Sequence, residues 1–581
     1  MADKIRKIYE RALTSMENRH MRSLMLCISG ALAGMALVFP KAFGMIQWIA
    51  LFPAAAVFFY EITEQPSNKI ATDKKRHKSA GMYGRGFLFF MSYFLVTYSW
   101  FISMYPLDFT ELNRPKAAGV VALAWIGLSI LASLMYALIP LFLKLIFKYI
   151  PKKCCLYKCR AFLFSFLFAA LWAIAEWGMT LHWTGVPWGR LCLGQTEMPV
   201  MIQTSSLFGS YFITFLIVFI NSLIAMAALH NPIADRVYNR TANRIDLKRI
   251  ASVTALITFS INLCAGIIIS GLTDKNLENS DKISFAAIQG NISSKDKWSD
   301  SSYEFSIERH KKYTEAAAAA GAKYVVWSET AIPYYSTLPQ AAADLKSIAK
   351  KNNVTLLVGV QIDQAGEDGK YVHYNSVIMI DPEGNISDSV YHKQHLVPFG
   401  EYVPSREFLV KMIPLLSEIS MLSYDLNAGH DGTVIDTANG GVGSMICFDS
   451  IYEQSAISAV RNGAELLVLP TNDSWFDGSR AGEMHFSQAK MRAVETGKYV
   501  VRAGNTGISA IVEPNGKVAE RIPQGKPGYV IGNVAFRSTR TLYTYIGNGF
   551  IYLLVLLSGT CLLSCLTYAV IIRVKHAERD E

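Results

Sequence analysis

Apolar positions gather into long unbroken runs before residue 275 and into short runs after it. Runs of about 20 mostly apolar residues can cross a bilayer as helices. Seven such runs lie at roughly 22–40, 44–62, 86–105, 118–143, 161–178, 208–229 and 250–271, and an eighth near 545–572. The stretch 276–544 holds no run of that length. Its pattern predicts strands at 283–289, 323–328, 354–361, 374–380, 441–447, 465–470 and 507–513. Helices are predicted at 301–321, 338–352, 452–463 and 479–496. The strands are β-branched stretches bounded by Gly, Asn and Pro, and the Ala-rich 315–320 favours a helix. Turn signals at Asp381-Pro382-Glu383-Gly384 and Glu513-Pro514-Asn515-Gly516 each close one strand and open another. The chain therefore divides into a polytopic α-helical membrane domain (1–275, transmembrane helices one to seven), an inserted α/β sandwich (276–540), and an eighth helix with a tail (541–581).

Charge orients these segments. Lys4, Arg6, Lys7, Arg11, Arg19 and Arg22 precede the first run, and Lys69, Lys74, Lys75, Arg76, Lys78 and Arg85 precede the third. The fourth and sixth loops are rich in Lys and Arg, as is the tail with Arg573, Lys575 and Arg579. The loops between them carry only Lys41, then Arg114 and Lys116, then Arg190. This alternation obeys the positive-inside rule. It predicts cytoplasmic termini and a sandwich domain on the outer side.

Composition agrees. Apolar residues make up 51% of the 581 and charged residues 18%, against about 25% charged in soluble proteins. A disordered chain, a collagen-like chain and a wholly soluble enzyme are excluded. The net charge of +10 falls on the cytoplasmic loops, so it does not call for nucleic acid. Of nine cysteines only Cys447 lies in the outer domain. That domain cannot close a disulfide of its own, and its lone thiol is a candidate reactive group. Asn221 and Asn262, inside apolar runs, read as interhelical hydrogen-bonding residues.

Three short segments place titratable residues at strand ends, where α/β enzymes keep their chemistry. In Trp327-Ser328-Glu329-Thr330 a carboxylate follows an apolar strand, which suits a general base with a raised pKa. In Tyr391-His392-Lys393-Gln394-His395-Leu396-Val397-Pro398-Phe399-Gly400-Glu401 a Lys beside a Pro/Gly-shaped turn can face a developing oxyanion. His392 and His395 lack Cys or acidic partners at zinc spacing, so no metal site is expected. In Met445-Ile446-Cys447-Phe448-Asp449-Ser450 the thiol ends a strand ahead of a helix, whose N-terminus lowers a thiol pKa. A Glu, a Lys and a Cys make a nucleophilic set: the carboxylate takes the thiol proton, sulfur attacks a carbonyl, and the ammonium holds the oxyanion.

These motifs resemble the carbon–nitrogen hydrolase (nitrilase) superfamily. The chain as a whole is similar to the apolipoprotein N-acyltransferase family. The resemblance rests on Gln289-Gly290-Asn291-Ile292 with Trp298, the Trp327–Pro333 stretch, Lys393 through Pro404, and Ile446-Cys447. Thr471-Asn472-Asp473-Ser474-Trp475-Phe476 and Arg502-Ala503-Gly504-Asn505-Thr506-Gly507 complete it. It implies eight membrane helices and an inserted nitrilase-like αββα sandwich. It further implies Glu329 as base, Lys393 as oxyanion holder and Cys447 as nucleophile, with Glu401 supporting and Trp298 on an arm near the active-site mouth. The implied reaction moves an acyl chain from a phospholipid to the Cys thiol, then to the α-amine of a diacylglyceryl-cysteine at a lipoprotein N-terminus. It needs no cofactor or metal, and its implied setting is a bacterial inner membrane with the catalytic domain periplasmic. Phe448 and Asp449 depart from the family's Tyr and Glu. Phe448 removes a hydroxyl, and Asp449 predicts altered acceptor recognition and tolerance of Asp449→Glu.

The loop 178–207, with Trp183, Trp188 and Arg190, reads either as a simple interfacial anchor or as one whose Arg meets a lipid phosphate. The segment 406–425 reads equally as a lid or a packed amphipathic helix. Two other functions stay open: a membrane-tethered amidase or nitrilase-type hydrolase using water, and a scaffold without activity.

Overall fold

The computed structural model describes residues 16–63, 80–107, 112–150, 159–237, 247–297, 302–333, 335–366, 371–412, 424–430 and 432–580. Among them seven helical stretches are long and apolar enough to cross a membrane: Arg19–Val38, Pro40–Thr63, Arg114–Tyr149, Arg160–Gly178, Ser210–Leu229, Lys248–Glu278 and Gly549–Ile572. The apolar run at 86–105 is the helix Ala80–Thr97 followed by a 3-10 turn, Ser99–Met104, and it is not one of the seven. Three glycines, two tyrosines and Arg85 lower its hydropathy. It packs along Arg19–Val38, where Gly30 and Gly34 leave no room for a side chain against the backbone at Phe89 and Tyr93, the small-residue contact common between membrane helices. Arg85 pairs with Glu61, which Arg22 also reaches at 2.9 Å.

Buried polar groups in the helical part satisfy one another. Asn221 accepts from Leu51 N at 2.9 Å and donates to Gln47 O at 2.8 Å, and Asn262 accepts from Thr204 Oγ1 at 2.6 Å. Glu176 accepts from Thr214 Oγ1 at 2.7 Å and Leu191 N at 2.8 Å. Asn221 and Asn262 thus bond from one helix to the ends of neighbouring helices, as the sequence predicts, and Glu176 joins two helices to the turn at Leu191.

Among the described residues the sandwich domain has twelve strands: β1 (Ile283–Gln289), β2 (Tyr324–Val326), β3 (Thr355–Ala365), β4 (Tyr371–Ile380), β5 (Tyr391–His392), β6 (Val434–Thr437), β7 (Gly440–Ser444), β8 (Leu466–Thr471), β9 (Val500–Gly504), β10 (Ser509–Val512), β11 (Val518–Ile522) and β12 (Gly528–Val534). They form two six-stranded sheets, ordered β12-β1-β2-β3-β4-β5 and β11-β10-β9-β8-β7-β6. Parallel pairs at the centre of each sheet, β1-β2-β3 and β7-β8-β9, are flanked by antiparallel edges. Helices Ser302–Ala319 and Pro339–Asn352 cover the first sheet, and Glu453–Arg461 and Ala481–Thr496 the second. Apolar side chains of both sheets, among them Phe285, Tyr324, Val442 and Val468, fill the layer between them. Gly516, at φ 83°, takes the left-handed position of the β10–β11 turn, which a Cβ would strain.

The two parts share one apolar core. Phe448, Ile451, Tyr452, Met484 and Met491 of the sandwich cluster with membrane-helix residues. Trp188 packs on Phe476 and on His485, and Trp100 on Phe476. At the centre of this seam Arg190 is 1% exposed. It donates to Glu453 Oε2 at 3.0 Å, Ile451 O at 2.9 Å and Gln488 Oε1 at 3.0 Å. Tyr211 adds a hydrogen bond to Glu453 Oε1 at 2.7 Å. The reading of Arg190 as a lipid-phosphate contact is thus corrected: its guanidinium is consumed inside the protein, holding the helix that follows Cys447.

Removing one partner of a buried ion pair costs about 3–5 kcal/mol. Arg190→Ala should therefore lower the thermal midpoint of the detergent-solubilised protein sharply, and Arg190→Met with Glu453→Gln should recover part of the loss. An unchanged midpoint in Arg190→Ala contradicts this reading of the seam.

Candidate active site

Three strand ends converge between the sheets. Glu329 follows β2, Lys393 follows β5, and Cys447 follows β7. All three are buried. Lys393 Nζ donates to Glu329 Oε1 at 3.0 Å and to Glu401 Oε1 at 2.8 Å. Asn375 Nδ2, from β4, bridges the same two oxygens at 2.7 and 3.1 Å. Glu401 is fixed from the other side by Val397 N at 2.8 Å. The turn from Lys393 to Glu401 thus folds back so that both ends meet at one ammonium.

The electrostatics follow from burial. Loss of water works against the Lys393 charge, but Glu329 and Glu401 outweigh it and hold its pKa well above the usual lysine value. Burial, with Glu329 adding repulsion, pushes Glu401 up even though Lys393 opposes the shift. Burial and then the Glu329 charge push the Cys447 thiol well up, with Lys393 opposing. This corrects the expectation of a lowered thiol pKa. Cys447 opens only a 3-10 turn, Cys447–Ile451, and desolvation wins over so short a dipole. Burial thus favours the protonated thiol. Cys447 has φ 49°, a left-handed backbone held on a sharp turn.

Asp449 has no access to solvent. It accepts from Tyr391 Oη at 2.8 Å, Ile446 N at 3.0 Å, His395 N at 2.7 Å and Gln394 N at 3.2 Å. It therefore ties the Lys393 loop to the Cys447 turn, and no oxygen is left for an acceptor. Its place in the site is that of a supporting residue between these two segments. Phe448 is also buried, edge-on to Tyr452 at 5.6 Å within the core shared with the membrane helices. Trp298 lies outside the described residues, as does most of the segment 406–425; its described start is the helix Arg406–Met412.

Sequence reasoning assigns no role to four groups here. Asn375 sits inside a strand like any polar strand residue. Lys297 is buried, is pushed down to about 8 by desolvation, and donates to Glu329 O at 2.6 Å. Asp473 and His485 lie behind the nucleophile. His485 Nδ1 stands 2.7 Å from Asp473 Oδ1, and its Nε2 stands 3.0 Å from Cys447 O. Asp473 and Arg502 are legible in the sequence only as parts of motifs. Among the described residues Cys447, Asp473 and His485 bring potential metal-ligand atoms within 4.8 Å of one another. Arg502 already pairs with Asp473 Oδ2 at 2.6 Å, and its fixed charge opposes a cation there.

The fold and site define a membrane-bound protein of the carbon–nitrogen hydrolase class. The family model described as carbon-nitrogen hydrolase matches residues 284–543, and that of the apolipoprotein N-acyltransferase N-terminal domain matches 29–223. An apolipoprotein N-acyltransferase of Geobacter metallireducens is 30% identical over 414 residues, 69% of this chain and 74% of the relative. One of Gloeobacter violaceus is 27% identical over 519 residues, 88% of each. An amidase structure from Nesterenkonia sp. aligns at 15% identity and TM-score 0.34, covering 45% of this chain and 94% of that one. The chain belongs to the apolipoprotein N-acyltransferase family.

Two outcomes follow from this geometry. Asp449→Glu should lower activity by about tenfold or more, because an added methylene in a filled site shifts Cys447 against Lys393; wild-type activity would contradict it. Alkylation of Cys447 by iodoacetamide should keep rising with pH through pH 9, because the thiol pKa is raised; a plateau below pH 8 would show a stabilised thiolate instead.

Proposed function

We propose that this protein transfers an acyl chain from a phospholipid to the α-amine of a lipoprotein's N-terminal diacylglyceryl-cysteine, through a thioester on Cys447. The observation that carries the chemistry is the buried Glu329–Lys393–Glu401 cluster, whose charges act on the Cys447 thiol. Family membership supplies the substrates.

Glu329 takes the thiol proton as sulfur attacks the ester carbonyl. An ammonium has three N–H donors. Lys393 spends two on Glu329 and Glu401, and the third faces the oxyanion. The tetrahedral intermediate collapses to the thioester, and the departing lysophospholipid oxygen takes the proton back from Glu329. In the second step the amine attacks the thioester carbonyl. Its proton passes by way of Glu329 to the leaving sulfur, which restores the thiol. Glu401 and Asn375 hold Lys393 and Glu329 in register throughout.

The seam explains why membrane helices serve such a site. The Cys447 turn packs on the same core as the helices, so substrates whose reactive groups lie at the bilayer surface reach it without leaving lipid. In this reading Ala80–Thr97 is an eighth crossing, its Arg85 neutralised by Glu61. That count keeps the basic loops cytoplasmic and puts the sandwich on the periplasmic side of a bacterial inner membrane.

Cys447→Ser, Glu329→Gln and Lys393→Ala should each lower transfer of a labelled acyl chain from phospholipid to a diacylated lipopeptide by at least about 100-fold. Full transfer by any one of them removes the assignment. Release of free fatty acid in place of transfer would favour the hydrolase.

A further inference from the structure

Lys498, Arg537 and Arg540 lie close together where the sandwich meets the membrane helices, and Arg540 reaches the backbone of a fourth cation, Arg461. The partners shown for them are backbone carbonyls. Arg461 donates to Thr544 O at 2.7 Å and Tyr545 O at 3.0 Å. Arg540 donates to Arg461 O at 3.1 Å. Lys498 donates to Arg537 O and, at 2.9 Å, to Thr539 O. Among the described residues no carboxylate forms an ion pair with any of the four, and Glu465 acts on Lys498 only from a distance. Burial and then the charges of Arg537 and Arg540 push Lys498 down to about 8. Arg537 Nε is buried with no hydrogen-bond partner. Such crowding of like charge is relieved by an anion.

The place has room for one. A crevice of about 160 Å³ is lined by Arg537 and Arg540, by Ser206, Thr273 and Thr541, and by the apolar Ile269 and Leu542. A single buried water needs only ~10–15 Å³, so the space suits a phosphate group. Ile269 and Thr273 belong to the helix Leu247–Glu278, whose Ile268 and Leu272 are 61% and 59% exposed on the surface that faces lipid. On the other side Leu542 and Tyr545 project outward from the short helix Leu542–Ile546. The basic floor is therefore flanked by surface that acyl chains can cover.

The crevice is not the acyl-transfer site. Both touch the helix Ala481–Thr496, but at opposite ends. His485 lies behind Cys447, whereas Val494 lines the crevice, about 14 Å further along at 1.5 Å per residue.

We propose that this crevice binds the phosphate of an anionic phospholipid, with Arg537 and Arg540 as its ligands and the chains lying along Leu247–Glu278. The lipid is a bound partner of the domain junction, separate from the acyl donor.

The test uses the full chain in non-ionic detergent and native mass spectrometry. Diether phosphatidylglycerol and diether phosphatidylcholine serve as probes, since neither holds an ester to be cleaved. Wild type should retain the glycerol lipid in preference to the choline lipid. Arg537→Gln with Arg540→Gln should reduce retention of the glycerol lipid by about tenfold and erase its preference over the choline lipid. Millimolar inorganic phosphate should not displace the lipid. Equal retention by wild type and double variant overturns the proposal, and so does displacement by inorganic phosphate, which would reassign the crevice to the free anion. If the double variant does not fold, the wild-type comparison decides, and equal retention of the two lipids overturns the proposal.

Discussion

A charge without access to water has to be balanced where it stands, and the ammonium of Lys393 is 1% exposed. Losing one partner of such a pair costs about 3–5 kcal/mol, so the surrounding chain is built to keep both carboxylates in place. Glu329 is delivered by the end of β2, and Glu401 by a turn that returns eight residues after the lysine. Asn375 holds the two carboxylates at one spacing. Asp449 then binds this loop to the Cys447 turn through two backbone N–H groups of the loop and one of the strand end. The position of Cys447 is thus tied to how a buried cation is neutralised.

The same logic operates at the seam with the membrane part. Arg190 and Glu453 form a second buried pair, six residues after the nucleophile, and Tyr211 of a membrane helix completes it. Polar groups here set the orientation of one domain on the other, while Phe448, Ile451 and Tyr452 supply apolar area.

Much of this is legible in the amino-acid sequence. Cys447 and Glu329 stand out because each ends an apolar strand, Lys393 because it lies beside a Pro/Gly-shaped turn, and the β-branched pattern gives β1 its observed limits, Ile283–Gln289. The helices of the sandwich fall within about two residues of their predicted bounds. Other strands escape for physical reasons. β5 has two residues, and β12 is broken by Gly528 and Gly532. β9 carries Arg502, whose charge reads as surface until its pairing with buried Asp473 is seen. Arg190 misleads because sequence shows a charge but not its partner, and Glu453 lies far along the chain. The sign of the thiol shift escapes too, because a local pattern reports a helix N-terminus, while burial depends on tertiary packing.

The central claim is that Cys447 carries the acyl group. The most direct measurement is the intact mass of the purified protein after incubation with a phospholipid of defined chains, repeated with Cys447→Ala and after neutral hydroxylamine. The account predicts a mass increase of one acyl chain, absent in the variant and removed by hydroxylamine. An equal increase in Cys447→Ala, or an adduct that resists hydroxylamine, would contradict it.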